Sequence, residues 1–269
     1  NGSDFAFAID GTYTHSNGTV VINNGGGGIA HAAIQAGDAT STTGLYDLTI
    51  SGGGTTCEIY GDTTIHRNME AGGSTTVLRG ALTVNGNLTI YGALTTIYSS
   101  TSYDLTVNGT TTIGLGSGAA DVSTLTCNAS TVSLGSGKTD GAGLNVKTGG
   151  TFTGGSGTHT IGSIVVDNNA NAKFTNTSGT ATLNGHSNDN TRTINIGGSS
   201  TCVAAGTMDV TFGTSSKLQI SNQAGVNNLT LTGNVIYRLH GHSLISGNLT
   251  RLRYFSFCLF SLAWTNDKY

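Results

Sequence analysis

The sequence predicts an all-β fold, a β-solenoid (β-helix) of short strands and Gly/Asn turns wound at about twenty residues per coil. Three observations predict it. The 269 residues contain no proline and 42 glycines, where an average chain of this length would hold about 13 and about 19. Short apolar-alternating runs recur, each closed by Gly, Asn, Ser or Asp. Two periods, six residues and about twenty, organise those runs.

The absence of proline has a mechanism. Inside a stack of coils each strand lies between two others, so each backbone N–H is needed by a ladder bond that proline cannot donate. A β-sandwich, the alternative architecture, has edges and long loops where proline is tolerated. Threonine and serine make up about a quarter of the chain, charged residues only 9 %. Stacked Thr, Ser and Asn avoid the repulsion that like charges in register would suffer.

The strands follow in order. Leu45-Tyr46-Asp47-Leu48-Thr49-Ile50, Thr75-Thr76-Val77-Leu78, Ile194-Asn195-Ile196 and Asn228-Leu229-Thr230-Leu231 all have strand composition. The six-residue period is Gly80-Ala81-Leu82-Thr83, Gly86-Asn87-Leu88-Thr89 and Gly92-Ala93-Leu94-Thr95, echoed at Gly247-Asn248-Leu249-Thr250. It reads as one strand plus one corner: Leu inward, Thr outward, Gly free to take a positive φ. The longer period rests on Gly116-Ser117-Gly118, Gly135-Ser136-Gly137 and Gly155-Ser156-Gly157. At about twenty residues per coil, roughly 250 residues would make about a dozen coils.

Three regions follow. Residues 1–44 form an N-terminal cap with the first strands; within it the run Ile29–Ala36 reads as a short helical turn or an irregular cap. Residues 45–250 are the solenoid body. Residues 251–269 carry Tyr254, Phe255, Phe257, Phe260 and Trp264 without a glycine, and read as a cap or a self-association element closing an open end.

Composition also narrows function. Eleven Lys and Arg and a net charge of −3 argue against a nucleic-acid partner. No apolar run is long enough to span a bilayer as a helix, and no signal peptide is visible at Asn1. Cys57, Cys127, Cys202 and Cys258 lie far apart, without metal-ligand spacing, and read as buried apolar thiols. No phosphate loop, dinucleotide fingerprint or nucleophile elbow occurs. The chain is therefore expected to have no catalytic residue, cofactor or metal site. The closest approaches to one are Glu58, Asp62 and Glu70 near His66 and Arg67, which a solenoid could bring onto one face for sugar cleavage, and His240-Gly241-His242 for a metal.

The phrases Gly11-Thr12-Tyr13-Thr14-His15-Ser16-Asn17-Gly18-Thr19-Val20, Leu45-Tyr46-Asp47-Leu48-Thr49-Ile50 and Leu82-Thr83-Val84-Asn85-Gly86-Asn87-Leu88-Thr89-Ile90 resemble repetitive β-strand proteins of environmental bacteriophages and bacteria: virion structural proteins, tail fibres and surface adhesins. The resemblance covers about residues 11–250. It implies an extracellular protein on a virion or cell surface, and transfers no catalytic residue. The expected function is that of a structural, self-assembling fibre or filament subunit. The alternatives are a glycan-binding adhesin using Tyr60, Tyr91, Tyr98 or Tyr103, and, third, a polysaccharide-degrading enzyme.

Overall fold

The computed structural model describes residues 5–8, 17–23, 31–35, 44–52, 56–73, 75–116, 122–135, 143–167, 169–176, 180–183, 191–196, 201–204, 207–211, 217–221, 229–231, 235–239 and 242–246. They contain strands and no helix. Three sheets hold nearly all of them. Sheet one runs over ten strands from Phe5–Ala8 to Leu229–Leu231, and sheet two over nine from Thr19–Asn23 to Lys217–Ser221. Sheet three runs from Thr63–Ile65 to Val235–Leu239 and ends on His242–Ser246. The chain visits sheet two, sheet one and sheet three in unbroken rotation from Asp47–Ser51 to Val235–Leu239, giving eight complete coils among the described residues. Thr19–Asn23, His31–Gln35 and Leu45, which bridges to Ile65, make a further coil before them. The architecture is a β-solenoid.

The six-residue phrase is one side of the coil. Leu82 lies on sheet three, Leu88 on sheet two and Leu94 on sheet one, and each is at most 1 % exposed. Three such sides give the shortest coil: the ladder pairs Thr75 with Ala93, a step of 18 residues, and Met69 with Leu88, a step of 19. Insertions lengthen later coils. Leu94 pairs with Leu125, a step of 31, and Thr111 with Leu144, a step of 33. With these longer coils, the described residues make nine rather than the dozen expected. The first two Gly/Ser clusters mark these insertions rather than a coil period: Gly116 follows a strand of sheet two and Gly135 one of sheet three, whereas Gly155, after a strand of sheet one, falls in a coil of only 20 residues, from Leu144 to Ile164.

Pairing is parallel throughout the three sheets except at the last strand, where His242–Ser246 turns back antiparallel on Val235–Leu239. A small separate hairpin, Ile97–Tyr98 with Thr101–Ser102, is inserted between sheets one and three. The run expected as a helical turn or irregular cap is instead the strand His31–Gln35, paired in parallel with Thr56–Tyr60. Ala favours helix and Ile favours strand, so the run's own preferences conflict, and the ladder on offer from the next coil decides it.

The glycines of the six-residue phrase also act otherwise than expected. Gly80 and Gly86 are absent from the left-handed region; they are needed because the coils approach too closely. A Cβ on Gly86 would run into the carbonyl oxygen of Arg67, and one on Gly80 into the Gly61 backbone.

The core is a set of columns running along the stack. On sheet two, Leu48, Met69, Leu88, Thr111, Leu144 and Ile164 follow one another, beside Ile50, Ala71, Ile90, Ile113, Val146 and Val166. All are buried. Each residue touches its equivalents one coil away, so burial is shared between neighbouring coils and no coil has a core alone.

Candidate functional site

Outside the core, the polar side chains mostly join one coil to the next. The residue just before the inward position of a strand is Asp or Asn at several corners. Its side-chain oxygen accepts the backbone N–H of the matching residue one coil on. Asp47 Oδ1 accepts from Asn68 N, Asn68 Oδ1 from Asn87 N, and Asn87 Oδ1 from Thr110 N, each at 2.9 Å. On sheet three, Asp62 Oδ1 accepts from Ala81 N at 2.9 Å and Asp104 Oδ1 from Thr131 N at 3.0 Å. This explains why the Tyr-Asp-Leu-Thr phrase occurs twice, at Tyr46 on sheet two and at Tyr103 on sheet three. In both places the Asp holds the corner of the following coil.

The ion pairs follow the same rule. Arg67 donates from Nε to Asp47 Oδ1 at 2.9 Å and from Nη2 to Asp47 Oδ2, a two-point match of guanidinium and carboxylate. Its guanidinium also lies 4.9 Å from the Tyr46 ring centre. These bonds hold the Asp47 carboxyl below its ordinary pKa against the opposing effect of burial. Lys147 reaches Asp167 at 3.3 Å, and Asp167 Oδ2 accepts from Thr148 N.

The densest polar cluster lies on sheet one. Arg79 Nη1 donates to Glu58 Oε2 at 2.8 Å and to the Tyr60 hydroxyl, which itself donates to Glu58 Oε2 at 2.6 Å. The Arg79 guanidinium sits 4.2 Å from the Tyr60 ring centre and 3.5 Å from that of Tyr98. Tyr98 arrives on the inserted hairpin, whose turn residues Ser99 and Ser100 have φ of 46° and 74°. Both values suit the two-residue turn that joins antiparallel strands tightly. Cation–π contact of this kind contributes about 0.5–2 kcal/mol, and here it ties the hairpin to the coil beneath.

The tyrosines named from sequence are thus dispersed. Tyr60 and Tyr98 meet on Arg79. The Tyr91 ring occupies the space above Gly72, and its hydroxyl points at the Ile50 carbonyl oxygen, 3.4 Å away. Burial, then the nearby Glu70 charge, raises its pKa. Tyr103 packs against the core from its rim. The three acids are separated as well: Glu58 lies on sheet one, Glu70 on sheet two, and Asp62 at a corner where it accepts from Ala81 N. His66 and Arg67 lie between sheets three and two.

Cys57 and Cys127 are free and buried. Burial, then the Glu58 charge, pushes the Cys57 thiol up to about 12, and burial raises Cys127 too. Cys202 continues the Phe174 column in register; Cys258 lies outside the described residues. Among the described residues no group of three or more His, Cys, Asp or Glu could hold a metal. Of the His240-Gly241-His242 motif, His242 opens the last strand, while His240 and Gly241 lie outside the described residues, as do the self-association candidates Tyr254, Phe255, Phe257, Phe260 and Trp264. No described helix is long and apolar enough to cross a membrane.

Sequence reasoning missed Arg79 and the Asp/Asn ladder. The ladder had a signal, the recurring Asp or Asn before an inward Leu. Arg79 had none, because Tyr98 belongs to an insertion. Compared with family models, curated proteins and solved structures, the chain matches none.

Proposed function

We propose that this chain is a structural β-solenoid working outside the cell, a self-associating subunit of a virion fibre or a surface filament. The observation that carries this reading is the use made of charged side chains. Asp47–Arg67, Glu58–Arg79 and Lys147–Asp167 each join residues about one coil apart. In these pairs the charged groups are spent on holding coil to coil.

Continuous parallel ladders leave few open backbone groups for a protease to engage, and eleven Lys and Arg in 269 residues offer trypsin few sites. The four candidate sugar-stacking tyrosines are occupied by protein groups or scattered, which is why the structural reading stands ahead of the adhesin reading. The polysaccharide-degrading reading comes third, because Glu58, Asp62 and Glu70 stand on different sides of the coil.

Electron microscopy and light scattering of the purified full chain test the proposal. The expected result is rods or filaments that survive trypsin, and their loss when residues 251–269 are removed. A protease-sensitive monomer, or an oligomer unchanged by that truncation, would count against self-assembly through the tail.

A further inference from the structure

Sheet one differs from the other two in how its strands face. On sheets two and three the three-residue strands run inward–outward–inward, as in Leu88–Ile90 and Leu105–Val107, and show one outward residue per coil. From Ala93 on, sheet one presents outward–inward–outward triplets: Ala93-Leu94-Thr95, Thr124-Leu125-Thr126, Thr151-Phe152-Thr153 and Lys173-Phe174-Thr175. The middle residue of each is fully buried. The register carries one triplet onto the next without a shift. Two outward columns result, and six of their eight positions are threonine.

These threonines form a two-dimensional lattice. Successive coils are about 4.8 Å apart, and alternate residues along a strand about 6.7 Å. Beneath it, the Phe152 and Phe174 rings stack at 5.1 Å and 8°, backing the outward positions with a close-packed column. Among the described residues, the hydroxyls of Thr124, Thr126, Thr151, Thr153 and Thr175 take part in no protein hydrogen bond. The lattice carries no charge before Lys173 and no aromatic ring. On one side it is bounded by the hairpin Ile97–Ser102, which lies against Thr75–Arg79.

A ligand for such a face must be periodic, uncharged and made of hydrogen-bonding groups. Ions and nucleic acid need charge, and sugars characteristically stack on rings that this lattice lacks. Water fits. Each threonine of the lattice offers a hydroxyl to anchor a water molecule and a methyl for water to cage. Both spacings lie close to repeats of the oxygen lattice of hexagonal ice. A rigid array loses little freedom on binding, and many weak contacts made together hold a surface firmly. We infer that the threonine lattice of sheet one is an ice-binding face. It uses the side of the solenoid, so it stands or falls independently of end-to-end assembly.

The test grows ice slowly in a dilute solution of the full chain with an inert protein added, and measures enrichment in the ice together with thermal hysteresis. The chain should be enriched and should depress the freezing point below the melting point. Thr126→Tyr and Thr153→Leu should abolish both effects, while Thr106→Tyr, on the single outward column of sheet three, should leave them intact. Lys173→Thr, which extends the lattice by one point, should strengthen them, a gain that misfolding cannot mimic. Exclusion of the unaltered chain from ice would overturn the inference. So would equal loss in Thr106→Tyr, or threonine-dependent binding to insoluble cellulose or chitin without enrichment in ice.

Discussion

Asn68 accepts, through its side-chain Oδ1, the backbone N–H of Asn87 at 2.9 Å, one coil further along the stack. Asn87 passes the same bond on to Thr110. A short polar side chain at each corner thus does for the turns what the ladder does for the strands. It fixes the spacing of coils where the backbone leaves sheet geometry.

Asn68→Ala should lower stability by about 1 kcal/mol, the net worth of an ordinary hydrogen bond. Asn68→Asp keeps the acceptor, as Asp47 and Asp104 do in their own corners, and should lose less. Urea denaturation followed by circular dichroism measures the difference. Equal losses in the two variants would show that the acceptor is not what matters at this corner.

Two core columns contain a hydroxyl with no partner. Thr111 stands between Leu88 and Leu144 on sheet two, and Thr76 between Cys57 and Leu94 on sheet one. Both are fully buried, and neither Oγ1 makes a hydrogen bond. An unsatisfied buried polar group costs about 1–3 kcal/mol. Thr111→Val and Thr76→Val keep the branched shape and remove the cost, so each should raise the denaturation midpoint. A lowered midpoint in both would mean that the hydroxyls are held by groups beyond these columns.

The Asp47–Arg67 pair makes stability depend on acidity. The Asp47 pKa is lowered in the folded chain, against about 3.9 for a free aspartate. Its contribution is therefore complete above about pH 4 and is lost as pH falls through the lower, folded value. The unaltered chain should lose more stability between pH 5 and pH 2 than Asp47→Asn does. Arg67 is largely exposed, at 54 % of its side chain, so salt should shrink the difference. Parallel pH profiles for the two proteins would refute this role.

The hairpin turn asks two serines to adopt positive φ, a region that Asn and Gly enter at less cost. Ser99→Asn with Ser100→Gly should stabilise the hairpin by about 0.5–1 kcal/mol. The gain should be visible as slower amide exchange in residues 97–102. Tyr98→Ala, which frees one face of Arg79, should speed exchange there and leave the strands of sheet two unchanged. Faster exchange in the serine double variant would mean that the turn has a different shape in solution.

The sequence determined the class of this molecule. A chain without proline, with glycine, asparagine or aspartate at its corners and Leu-Thr phrases six residues apart, has every strand paired on both sides and one apolar residue facing inward per short phrase. That much is local: the alternation of side chains along a strand and the donor that proline lacks. The inward Leu82, Leu88 and Leu94 were legible for that reason.

What stands beside what was decided only in three dimensions. A coil closes by matching its backbone ladder to the coil before it, and an insertion between two sides changes the chain length without changing that match. Leu94 meets Leu125 across 31 residues, while Thr75 meets Ala93 across 18. Equal distances in sequence therefore do not mean equal positions in the stack. The Arg79–Tyr98 contact, the strand formed by His31–Gln35 and the threonine lattice of sheet one all follow from register. Register is set by neighbouring coils, and no single coil's sequence contains it.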